Sequence, residues 1–140
     1  MGTLEDDSLK ISERTKVVQR VAKRSIADLL REYAAGGHQV QGAALVVGSQ
    51  MDPTLIKNPH IRAHALEGRL FKTVLEQALR SHDLSCLILS ERNAYLEASA
   101  ILGRPEEDLR RALSVLGQSL SGPWRVDQKM AALAAWMDLR

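Results

Sequence analysis

Cysteine is almost absent from this chain: Cys86 is the only one in 140 residues. A disulfide framework is therefore excluded, and the usage suits a reducing cytoplasm. Cys86 sits inside an apolar segment, where core packing is the expected role and a reactive thiol the lesser one. No apolar run approaches the ~18 residues of a membrane span, so no membrane partner is expected. The start, MGTLEDD, is acidic and has no apolar stretch of the signal-peptide kind. No HExxH signature, internal repeat or low-complexity segment is present. Neither sign of charge dominates. The net charge is +2 and the pI is near 8.9, a balance that permits nucleic-acid binding without arguing for it. Against these absences stands a hydrophobic content of 45%. That is ordinary for a globular protein and speaks for one domain around one core rather than a disordered chain.

Residues 1–8 read as frayed. Residues 9–17 (LKISERTKV) partly alternate and carry β-branched side chains, which predicts a short edge strand. Over 18–33, Val18, Val21, Ala22, Ile26, Leu29 and Leu30 recur at helical spacing. The other face of that helix carries Arg20, Lys23, Arg24, Arg31 and Glu32, a solvated face first and a nucleic-acid surface second. Gly36-Gly37 ends it. Gly42–Val47 (GAALVV) is continuously apolar, as in a parallel strand covered on both faces. After a polar connection over 48–57, Asn58-Pro59 marks a helix start, with asparagine as cap and proline in the first turn. That helix is expected over 59–81, with Leu66, Leu70, Val74 and Ala78 on one ridge beside Phe71 and Leu75, and Arg62, Arg69, Lys72 and Glu76 in water. Ser85–Ser90 is the next buried strand. A strand–helix–strand unit of this kind implies a right-handed parallel crossover. Three helices follow: Ala94–Leu102, stopped by Gly103; one opened by Pro105-Glu106-Glu107; and one over 126–139, after a loop at 119–125.

In open α/β sheets, ligands gather at the carboxyl ends of the strands. Three groups are expected there: the turn Gly48-Ser49, Glu91-Arg92, and Asp127. Paired carboxylates at such a place can hold a hard divalent cation. The competing reading makes Asp127 a helix cap and Glu91 a partner of the next helix dipole. A second constellation is His60, His64 and Glu67, whose offsets of four and seven share one helical face with Phe71 and Val74. That face is expected to point inward. Its three polar groups then form either a two-histidine, one-carboxylate metal site or, preferably, a buried hydrogen-bonded cluster supporting the rim. Trp124 and Trp136 are expected to pack the last helix, with base stacking as the minority reading.

From Ala43 to Leu139 the order of these pieces resembles the carboxyl-terminal two-thirds of the RNase H-like fold in its RuvC/YqgF branch. That branch holds Holliday-junction resolvases and nucleases that mature pre-16S ribosomal RNA. The matching stretches are ALVVGS, the helix start NPHIRAHALEGRLF, Ser90-Glu91-Arg92 against the family's Asp-Glu-Arg, and VDQKMAALAAWM against its final aspartate-led helix. The resemblance implies one RNase H-like α/β domain over 1–140, a short parallel-containing sheet flanked by helices. It implies that Glu91 and Asp127 are catalytic metal ligands for Mg²⁺ or Mn²⁺. It also places Gly48, Ser49, Arg92 and Lys129 along a groove for structured DNA or RNA.

The chain departs from that pattern upstream. The family's first strand, ending Asp-x-Gly, and its hairpin have no counterpart, Ser90 replaces an aspartate, and His60 stands where arginine is usual. Residues 9–17 would be the third strand of an incomplete amino-terminal hairpin, and Met1 an internal methionine or the remnant of a shortened gene. The expectation is thus a cytoplasmic, metal-dependent phosphodiester-hydrolysing fold with little nuclease activity. The alternative is a non-catalytic interaction module that forms a homodimer through an exposed sheet edge.

Overall fold

The computed structural model describes residues 4–48 and 52–139. It opens on a 32-residue helix, α1 (Leu4–Ala35). Strand β1 (Gly42–Val47), helix α2 (Pro59–Arg80) and strand β2 (Ser85–Ser90) follow, then α3 (Ala94–Leu102), α4 (Glu106–Gln118) and α5 (Val126–Asp138). β1 and β2 pair in parallel from Gly42 opposite Ser85 to Val47 opposite Ser90, and no third strand joins them among the described residues. The chain is therefore a mixed α/β fold with a two-stranded parallel sheet flanked by helices.

The edge strand expected over 9–17 is instead the first part of α1. A stripe of at least half-buried side chains runs Thr15, Val18, Ala22, Ile26 and Leu30. Its spacing of three and four is helical throughout and carries the helix upstream past the β-branched residues, whose strand preference is weak beside such a stripe. Thr15 also turns its hydroxyl onto the Ile11 carbonyl, at 2.9 Å. Ala22 packs against Val74 and Ala78 of α2, with Val18, Ile26, Leu70 and Leu75 around them. Val21 and Leu29, expected on that inner stripe, point outward, as does Leu66 of the proposed α2 ridge.

Local signals set the other helix ends. The Asn58 carboxamide accepts the N–H groups of His60 and Ile61 at 2.9 and 3.3 Å, which satisfies two donors that the first turn leaves open. Gly103 closes α3 at φ 62°, a left-handed conformation that suits glycine. Arg125, not Asp127, caps α5, and its N–H is accepted by Gln128 at 2.9 Å.

The two faces of the sheet are covered differently. Ala44, Val46, Leu87 and the fully buried Leu89 face α5, α3 and α4, where Leu109, Leu113, Leu133 and Met137 complete the main core. α2 covers the opposite face, with α1 stacked behind it. Both tryptophans are structural. Trp136 packs against the core with Arg104 stacked on its ring, while Trp124 packs beside α4 and donates to the Leu113 carbonyl. Among the described residues no helix is long and apolar enough to cross a membrane.

Candidate functional site

The carboxyl rim of the strands is built by three chain segments. β2 ends at Ser90 and passes straight into a 3₁₀ turn, Glu91–Asn93, which leaves Glu91 and Arg92 exposed. β1 ends at Val47, and Gly48 follows it at the surface; Ser49 lies outside the described residues. The third expected segment is α5, whose far end is placed by a close contact. A methyl group on Gly42, the first residue of β1, would run into the Asp138 carboxylate and the Ser85 hydroxyl. The last turn of α5 thus lies where both strands begin. A 13-residue helix and a six-residue strand both span about 20 Å. The first turn of α5 lies at the other end of that helix, with Asp127 exposed and Lys129 half-buried.

Glu91 and Asp127 make no ion pair among the described residues. Asp127 lies in the first turn of α5. As donors the two carboxylates fit a hard divalent cation in kind, because Mg²⁺ is commonly held by one or two carboxylates with water and phosphate completing the shell. Among the described residues no group of three or more His, Cys, Asp and Glu side chains is placed to share one ion.

The second constellation differs from its expectation in burial. His60, His64 and Glu67 are exposed, the latter two at 65% and 66% of their side-chain surface. The face expected to turn inward is split: Val74 is buried against Ala22 of α1, whereas His64 and Phe71 border the open groove beside β1, and Phe71 is 51% exposed. The histidines still touch: His60 Nε2 and His64 Nε2 are 3.2 Å apart, and the rings meet edge to face at 4.6 Å between centroids. Glu67 lies on the other side of His64, its Oε2 3.7 Å from Nδ1. It therefore shares no point with both Nε2 atoms and is not a third ligand.

Beside β1 runs an open groove of about 500 Å³, lined by Leu45, Val47, Ile56, Ile61, Phe71 and His64 among others. Sequence reasoning missed it, although Ile56 and Ile61 flank the Asn58-Pro59 cap as conspicuous apolar residues in a polar connection. The Arg62 guanidinium holds its floor by donating from Nε to the Ile56 carbonyl at 2.9 Å. Asp52 caps the adjoining 3₁₀ turn, Pro53–Leu55, and the Thr54 N–H and hydroxyl hold its carboxyl below the usual range. Burial, seconded by Glu76, pushes the Cys86 thiol upward, which disfavours its thiolate.

The chain matches no family model, no curated protein and no solved structure.

Proposed function

We propose that this protein binds structured nucleic acid along the carboxyl rim of its strands, as an RNase H-like domain of RuvC/YqgF type. The observation that supports the reading is the packing of the last turn of α5 where β1 begins; a helix of that length laid back along the sheet would carry Asp127 and Lys129 toward the edge that bears Glu91 and Arg92. Arg92 and Lys129 serve as phosphate contacts, with Gly48 as a further candidate at the end of β1. Glu91 and Asp127 would hold Mg²⁺ or Mn²⁺. Such an ion, when bound, activates water and stabilises the leaving oxygen of a phosphodiester. With two carboxylates where this chemistry ordinarily uses more, binding is expected to exceed cleavage. The test is fluorescence anisotropy with a four-way DNA junction and a structured RNA, with and without Mg²⁺. Arg92→Ala and Lys129→Ala should each weaken binding and lower the salt slope by about one. Wild-type protein that binds neither ligand at low salt overturns the reading.

A second reading is favoured by a specific observation. β1 pairs on one side only among the described residues, and an apolar groove borders its other edge. Such an edge invites another strand. In this reading the chain is an interaction module that self-associates through antiparallel pairing of two β1 strands, indifferent to chelator. Sedimentation across a concentration series, with Val47→Lys as the edge-blocking variant, separates it from the first. A dimer that Val47→Lys dissolves supports it, and a monomer at all concentrations removes it.

A further inference from the structure

We infer that His60 and His64 form a binding site for one divalent transition-metal ion, of the Zn²⁺, Ni²⁺ or Cu²⁺ class, on the exposed face of α2. The inference rests on α2 alone and is independent of the rim carboxylates.

The first support is distance. Metal–imidazole bonds are roughly 2.0–2.1 Å long, so two nitrogens on one ion at angles between ~90° and ~109° lie roughly 2.9–3.4 Å apart. The two Nε2 atoms are separated by 3.2 Å. Both side chains turn the same ring nitrogen toward each other, and the rings stand at 88°.

The second support lies behind the ligand. An imidazole that binds metal through one nitrogen commonly directs the other toward a carboxylate, which fixes ring orientation and strengthens the donor. Glu67 occupies that position, with Oε2 3.7 Å from His64 Nδ1. The offsets of four and three that seemed to make a three-ligand set instead make a ligand pair and its supporting carboxylate.

The third support is preorganisation. Asn58 and Pro59 fix the first turn of the helix, and Arg62, between the two histidines, is anchored to the Ile56 carbonyl. The ligand spacing is thus set by a capped helix rather than by a loop. Nitrogen donors select borderline transition metals over Mg²⁺ and Ca²⁺. His64 also lines the groove beside β1, so an ion held here keeps coordination positions open toward whatever enters that groove.

The experiment is calorimetric titration of tag-free protein with Zn²⁺ and Ni²⁺, and electron paramagnetic resonance with Cu²⁺. One ion per chain is expected, with a copper spectrum showing two imidazole nitrogens. His60→Ala and His64→Ala should each weaken binding at least about tenfold, and Glu67→Gln by about tenfold or more, the usual effect of removing a supporting carboxylate. His38→Ala, on a distant loop, should bind as the wild type does. All four positions are exposed, and circular dichroism checks that the variants keep their fold. The inference is overturned if the wild type takes up no ion at millimolar metal, or if the His60→Ala/His64→Ala double variant binds as tightly as the wild type.

Discussion

Trp124 is tied to Leu113 across the connection between α4 and α5: its indole Nε1–H donates to the Leu113 carbonyl at 3.0 Å. The ring lies so close over Gly117 that any side chain there would overlap it. This contact docks the loop onto α4 and sets where α5 begins. Gly117→Ala should therefore destabilise the fold by about 1–3 kcal/mol through overpacking. Trp124→Phe, which loses the hydrogen bond and little volume, should cost about 1 kcal/mol. Denaturant unfolding of the two variants checks both values.

The main core should respond steeply to truncation, and the surface hardly at all. Leu109 and Leu133 are fully buried, whereas Leu96 and Leu139 are 72% and 78% exposed. Leu109→Ala and Leu133→Ala are expected to cost about 2–5 kcal/mol each. Leu96→Ala and Leu139→Ala should stay within about 0.5 kcal/mol. Matched thermal melts would decide.

Cys86 should label slowly in the folded protein. Burial raises its pKa above the ordinary thiol value, so the native thiol is neutral across the physiological range and thiolate is scarce. A raised acid pKa means that the folded state holds its proton more tightly than the unfolded chain. Its contribution to stability is intact below pH 9.0 and is lost as pH climbs through the higher, folded-state value. Iodoacetamide labelling followed by mass spectrometry should show native Cys86 lagging the urea-unfolded chain at pH 8 (about one pH unit below the ordinary thiol pKa). Equal rates would contradict the burial described above.

Glu67 offers a test of the exposed α2 face. A buried, hydrogen-bonded Glu67 would make Glu67→Leu cost about 1–3 kcal/mol. At its observed exposure the change should lie within about 0.5 kcal/mol. Equilibrium urea unfolding distinguishes the two outcomes.

The legible parts of the chain were those where two signals agreed. Ser85–Ser90 combines an apolar run with flanking polar residues, and Asn58-Pro59 joins a cap to a helix-compatible φ; both elements begin where the sequence indicates. Residues 9–17 misled because β-branched side chains and partial alternation imitate a strand over nine positions. The helical stripe becomes evident only when Thr15 is counted with Val18, Ala22 and Ile26. The inward placement of His60, His64 and Glu67 failed for another reason. Periodicity gives the relative direction of side chains but not how far a neighbouring element reaches along the helix: Val74 is covered by α1, whereas His64, Glu67 and Phe71 stay open. The separation of Glu91 and Asp127 in sequence carries no geometric information about a shared rim.

The division of the apolar interior into two clusters has a kinetic and thermodynamic consequence. Ala22, Val74 and Ala78 form one cluster, and Leu89, Leu109, Leu133 and their neighbours the other. Among the described residues, α1 contributes side chains to the smaller cluster and none to the larger. Detaching α1 would expose Val74 and Ala78 while leaving the packing of α3, α4 and α5 on the sheet in place. Native-state amide exchange should accordingly resolve two cooperative units. The α1 amides should open at a lower free energy than those of α5, and their exchange should be the more sensitive to Ala22→Gly.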